Sequence, residues 1–443
     1  MLASTVGPGT AFGLGAAALA FDPRANPAAT TLAFALVGVA LGTVSGLTPG
    51  LHANAFALTL AAVAPSFSGP PAAVAAAILA AGIVHTFLDV VPGLVIGVPD
   101  AATAPASLPG HRLVLAGRGA EALRLSAFGS TVALLVAVPL SIPVSHLVAD
   151  GAHLLYEWLS VLLVGVVCLL VWTEPTRRAR VAGLGCFLLA AALGFLTLDL
   201  PPGGPLAATG VASMLAPLFA GLFGAPVALD ALDGAERRSS DSLPKQADDG
   251  VALPRGAALR SALAGVGGGV LVGYVPGVSA GVAAVLALGG AGESALHADG
   301  ATDRAYIVAS SGANTATAVF ALGSLVVVGS PRSGVTVALA SVRAAGAPLG
   351  LFDLLAVAVF AGCAGAVLVP VAGDRYLRLA RSVSHRRLSL AVLALLWGLS
   401  AAFAGVLGAC AFAVAAVVGL LPPRFGTRRV HLMGVLIGPV LLG

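Results

Sequence analysis

Apolar runs long enough to cross a bilayer alternate with short charged clusters along most of the chain. A span needs about 20 mostly apolar residues, because a helix rises ~1.5 Å per residue across ~30 Å of hydrocarbon. The runs leave room for roughly ten to twelve such crossings. Blocks such as Leu159–Val171, apolar but for Ser160, lack the period-two alternation of an outer-membrane barrel, so helices are expected. The pattern predicts an all-α integral membrane protein.

An internal repeat lies over this pattern. Gly38, Gly42, Gly46 and Gly50 recur every four residues, with Pro49 beside the last; Gly265, Gly269, Gly273 and Gly277 do the same, with Pro276. A single offset of 227 relates the two ladders and pairs GTVSGLTPGLHAN with GVLVGYVPGVSAG. After small gaps, HTFLD (85–89) aligns with NTATA (314–318), and GVPD (97–100) with GSPR (329–332). Glycines at this spacing form a smooth groove that admits a second backbone. The Pro-Gly that follows interrupts the helix, since proline lacks an N–H and clashes with the preceding turn. Unpaired backbone at membrane depth survives only inside protein or beside a water-filled cavity, so two breaks in register point to a broken-helix site.

Composition agrees with the pattern. Of 443 residues, 58% are hydrophobic and 9% charged, with mean hydropathy +1.01. A soluble domain carries about 25% charged residues, which excludes a soluble enzyme, a nucleic-acid binder and a disordered scaffold. The charge is concentrated in a few loops, and the net +4 reads as arginines marking cytoplasmic loops. Arg112, Arg118, Arg124, Arg177, Arg178, Arg180, Arg375, Arg378, Arg381, Arg424, Arg428 and Arg429 fall in such loops, whereas those near Asp150 and Asp199 have no basic residue. In the second half the basic loop arrives one span earlier, which predicts inverted repeats. The expected division is residues 1–30 without assignment, 31–229 as a first membrane repeat, 230–256 as a flexible, charged cytoplasmic linker, and 257–443 as a second repeat. The four cysteines form no C-x-x-C pair and read as small buried residues.

Few residues carry candidate chemistry. Asp89 stands in AAGIVHTFLDVVPGLVIG, and an intramembrane carboxylate usually pairs or serves an ion pathway. His85, at i−4, is its expected partner, and the two are assigned to coupling of Na⁺ or H⁺. The turns after Pro49 and Pro276 are expected to present N–H groups that bind an anion without a cationic side chain. His52, Asn54 and Ser279 serve there as helix caps or as ligand contacts, and both roles stay open. Ser311, Asn314 and Thr315 form either a site or interhelical hydrogen bonds. Arg332 pairs with a carboxylate or marks a loop. The G-x-S-x-G around Ser279 continues a helical glycine ladder and so does not form a nucleophile elbow, and Lys245 lacks a phosphate-loop glycine pattern. No catalytic residue, metal centre or organic cofactor is expected beyond a Na⁺ ion.

The stretches GLTPGLHAN (46–54), HTFLDVVPGLVIGVPDAATA (85–104), LPGHRLVLAGRGAEAL (108–123), GYVPGVSAG (273–281) and SSGANTATAVFALGSLVVVGSPRSG (310–334) resemble the large membrane subunit of the tripartite tricarboxylate transporters, in its archaeal-type branch. Gly46, Pro49, Gly50, Gly273, Pro276 and Gly277 match the paired Pro-Gly motifs, and Pro99 and Gly110 the loop after the first core. The resemblance implies a multi-pass plasma-membrane carrier importing organic acids with a cation gradient, beside a small membrane subunit and an extracytoplasmic binding protein. Departures from the bacterial pattern after Pro99 and at His52, Asn54, His85 and Asp89 leave citrate-like specificity and dependence on those accessory subunits open. The expected function is secondary active transport of a small organic anion by alternating access. A passive anion channel or exchanger, and an intramembrane enzyme, remain as rivals.

Overall fold

The computed structural model describes residues 26–49, 51, 56–57, 60, 69–97, 107–205, 214–235, 244–246, 250–275, 278–288, 300–344 and 350–442. Every regular element among them is helical. The first half comprises α1 (Pro27–Leu47), α2 (Pro71–Ile96), α3 (Ser107–Leu115), α4 (Gly119–Asp150), α5 (Leu159–Trp172), α6 (Arg177–Thr197) and α7 (Leu215–Asp230). The second comprises α8 (Arg255–Tyr274), α9 (Ala280–Ala287), α10 (Ala301–Val328), α11 (Gly334–Ala344), α12 (Leu351–Arg381), α13 (His385–Gly419), α14 (Leu421–Phe425) and α15 (Gly434–Leu442). Among the described residues, eight helices are long and apolar enough to cross a membrane, and four apolar helices are shorter.

Polar caps set several starts. Asn26 Oδ1 accepts from the Ala29 N–H at 3.1 Å and Thr176 Oγ1 from that of Ala179 at 3.1 Å, satisfying donors that a helix leaves free in its first turn. The glycine ladders are helix–helix seams. A Cβ on Gly38 would overlap the Ala77 carbonyl, one on Gly42 the Ala81 carbonyl, and one on Gly46 the Leu88 side chain. On α8, Gly265 lies against Ala309, Gly269 against Ala313 and Ala316, and Gly273 against Phe320. Each ladder helix therefore runs parallel to its neighbour, at a separation that only glycine allows.

The seams correct the register of the repeat. Ala77, Ala81 and Leu88 correspond to Ala309, Ala313 and Phe320, a constant offset of 232. The same offset relates Gly97 (φ 72°) to Gly329 (φ 76°), both left-handed caps ending a long buried helix, and the start of α4 to the start of α12. HTFLD thus corresponds to TAVFA (317–321), and the expected match with NTATA is three residues out of step. Alanine-rich helices align almost equally well in several registers, and only the seam distinguishes them.

Equivalent helices run in opposite directions. Leu94, late in α2, lies with Ile307, early in α10, around Gly110, while Asp89 and Thr86 meet Asn314. In α12, Gly373 packs on Leu123 of α4 and Gly362 on Leu134, so that pair is also antiparallel. Between halves, α4 runs alongside α10: Glu121 meets Arg304, Ser126 meets Ser311, and Ser145 lies under Gly323. The central layer therefore interleaves both halves. Within it α2 is 89% buried and α10 72%, against 28–39% for the other long helices.

The segment 230–256 is not free where it is described. Gln246 accepts from the Gly119 N–H at 2.7 Å and donates to the Val114 carbonyl at 3.2 Å, and the Ala252 N–H donates to Glu121 at 2.7 Å. Its hydrophilic composition suits docking on the polar start of α4 as well as it suits solvation. Cysteine placement also differs from expectation: Cys186 is buried, but Cys168, Cys363 and Cys410 are exposed on the apolar outer surface.

Candidate functional site

The site is built where α2 and α10 touch. Asp89 is 4% exposed, and its Oδ2 accepts from Asn314 Nδ2–H at 3.0 Å; the same amide donates to the Thr86 carbonyl at 3.2 Å. This hydrogen bond joins the most buried helix of one half to that of the other. Asp89 sits at a turn between two helical stretches, with Pro92 three residues on. Pro92 has no N–H to offer the Leu88 carbonyl, so an acceptor is released beside the carboxylate.

His85 is fully buried, and its Nδ1 lies 2.9 Å from Ser45 Oγ on α1. Its ring also stacks on Phe56, with centroids 6.4 Å apart. His85 and Asp89 thus each bond to another helix, His85 to Ser45 on α1 and Asp89 to Asn314 on α10. Ser45 was not singled out from sequence, although it stands three residues after Gly42 and so shares the ladder face, which was the available signal.

α1 ends level with Leu88, about two turns before α2 ends. α8 likewise ends, with Gly273 against Phe320, before α10 does. Gly50, His52, Asn54, Pro276 and Gly277, together with Pro99, lie outside the described residues.

The remaining candidates separate. Ser279 is a helix cap, its Oγ accepting from the Val282 N–H at 3.3 Å. Ser311 serves interhelical bonding: its Oγ donates to Ser126 Oγ at 2.9 Å and its carbonyl accepts from Ser130 Oγ at 3.2 Å. Thr315 is buried beside Asn314, and its Oγ1 has no hydrogen-bond partner among the described residues. Arg332 follows α10 where the chain turns back on itself: the Ser330 N–H donates to the Ser324 carbonyl at 3.0 Å, Val335 lies against Gly82 of α2, and the Arg332 N–H donates to Thr336 Oγ1 at 2.9 Å.

Arginines read as loop markers hold buried carboxylates. Glu121 takes a bidentate bond from Arg304 at 2.7 and 3.0 Å and another from Arg118 at 2.5 Å, and Asp303 pairs with Arg112. Before α6, Glu174 Oε1 lies within 2.8–3.1 Å of Thr427 Oγ1, Arg428 N, Arg428 Nε and His431 Nε2. Burial would raise its pKa, but the bonds from His431 and Arg428 outweigh that and hold it at about 2. These groups clamp helix ends and lie away from the buried pair.

An uncharacterised protein, MJ1079, of Methanocaldococcus jannaschii is 32% identical over 111 residues, which is 25% of this chain and 28% of that protein. No solved structure matches the chain. The match to the tripartite tricarboxylate transporter TctA family spans residues 32–434, and with its apolar helices the chain is a multi-pass membrane protein that belongs to this transporter family.

Proposed function

We propose that the protein is a secondary active carrier for a small organic anion, a carboxylate in class, coupled to Na⁺ or H⁺. The reading rests chiefly on the Asp89–Asn314 bond, a carboxylate held in apolar surroundings between the two most buried helices. A buried carboxylate is costly in a membrane unless it pairs or takes a cation, so it suits an ion-coupling role. The Asp89 carboxylate supplies oxygen donors of the kind a Na⁺ ion requires. The opposed directions of α2 and α10, and of α4 and α12, support two inverted repeats. Rocking them about the glycine seams would expose the site alternately to each side.

The anion is assigned to the turns that follow α1 and α8, where main-chain N–H groups at the start of the next helix, such as α9, would replace a cationic side chain. The plasma membrane is the proposed location. A small membrane subunit and an extracytoplasmic binding protein are the proposed partners.

Uptake of labelled carboxylates into proteoliposomes under imposed Na⁺ or H⁺ gradients tests this. Accumulation driven by one cation is expected, and Asp89→Asn should abolish that cation dependence. Flux that only equilibrates would favour a channel or exchanger. Product formation in detergent without a gradient would favour an enzyme. Unchanged cation dependence in Asp89→Asn would remove the coupling role.

A further inference from the structure

A cleft of about 570 Å³ lies between α6 and α14, away from the buried pair. Val181, Gly185 and Leu189 form one wall, and Leu421 and Phe425 the other. Arg177 and Arg178, in the first turn of α6, stand at one end; both are exposed, and neither makes an ion pair among the described residues. A Cβ built on Gly185 meets nothing within 4 Å, so the wall is notched at mid-length. Twelve residues separate Arg177 from Leu189, about 18 Å by helix rise, close to the depth of one leaflet of a ~30 Å core.

We infer that this cleft seats an anionic phospholipid, its phosphate on Arg177 and Arg178 and one acyl chain along the notch at Gly185. The charge is complementary twice over, since the two guanidinium groups flank the positive end of α6. The apolar wall argues against a soluble anion, which would gain nothing from 18 Å of hydrocarbon surface. The neighbouring Glu174–Arg428–His431 network pins the chain leading into α6 to the segment after α14, so both walls are held in place without the lipid.

The test uses the full-length protein purified in neutral detergent. Thermal stability is followed against phosphatidylglycerol, phosphatidylcholine and glycerol 3-phosphate, and native mass spectrometry counts retained lipid. Phosphatidylglycerol is expected to raise Tm saturably while the other two do not. Arg177→Gln with Arg178→Gln should weaken that response roughly thirtyfold, and lysine at both positions should restore it. Gly185→Phe fills the notch without changing charge and should also weaken it. Equal stabilisation by phosphatidylcholine overturns the inference, as does an equal effect of glycerol 3-phosphate or an unaltered response in Gly185→Phe.

Discussion

Asn314→Ala removes two hydrogen bonds at once, to Asp89 Oδ2 at 3.0 Å and to the Thr86 carbonyl at 3.2 Å. Asp89 is 4% exposed, so water is poorly placed to replace the lost donor. A hydrogen bond to a charged group contributes about 1.5–3 kcal/mol and a neutral one about 0.5–1.5 kcal/mol. Interhelical polar pairs in membranes average about 0.6 kcal/mol and reach about 1.7 kcal/mol, because the unfolded chain in the bilayer also finds partners. A double-mutant cycle of Asn314→Ala with Asp89→Ala, which removes the acceptor as well as the charge, should therefore give a coupling of about 1.5 kcal/mol for an ionised Asp89 and about 0.6 kcal/mol for a protonated one. Reversible unfolding in mixed micelles, followed by circular dichroism, supplies the four stabilities. The pH at which the coupling falls from the larger value to the smaller locates the protonation of Asp89. Additivity within about 0.3 kcal/mol at every pH would refute the claim that this bond ties the two halves together.

Two further outcomes follow from the packing and the ion pairs. Glu174 has a folded pKa of about 2 against an ordinary 4.5, so its stabilisation is complete above pH 4.5 and is lost as pH falls towards 2. Glu174→Gln should lower Tm at neutral pH and flatten that acid limb, and a mutant retaining the full slope between pH 5 and 3 would show that the network is not its source. Gly42→Leu and Gly269→Leu drive side chains into Ala81 and into Ala313 and Ala316, and each should cost about 1–3 kcal/mol or abolish folded yield. A leucine at Gly267, which faces open space, is the control and should leave the elution profile on size exclusion unchanged.

Much was legible in the residues alone, because a bilayer imposes simple rules. Apolar runs between charged loops announced helical spans, since neither exposed strand edges nor isolated charge survives in hydrocarbon. The two glycine ladders announced close seams, and the match of GVPD (97–100) with GSPR (329–332) was visible, but only the structure shows that Gly97 and Gly329 end long helices. Asp89 and Asn314 were each recognised as polar groups in apolar surroundings, and the cap at Ser279 and the interhelical bond of Ser311 were among the roles left open for them.

What spacing could not supply was partnership. Asp89 and Asn314 are 225 positions apart, Glu121 and Arg304 183, and Glu174 and Arg428 254, and no local pattern connects such pairs. The His85 ring is also bonded to Ser45 on α1, a contact that follows from how α1 and α2 pack and not from spacing along α2. The three-residue error in aligning HTFLD has the same origin: small-residue helices fit in many registers until a neighbouring backbone selects one. Membrane class and the places of close approach were thus determined by the chain's own pattern. Which charged and polar groups meet was decided by the tertiary fold, since it alone sets which faces of distant helices are buried together.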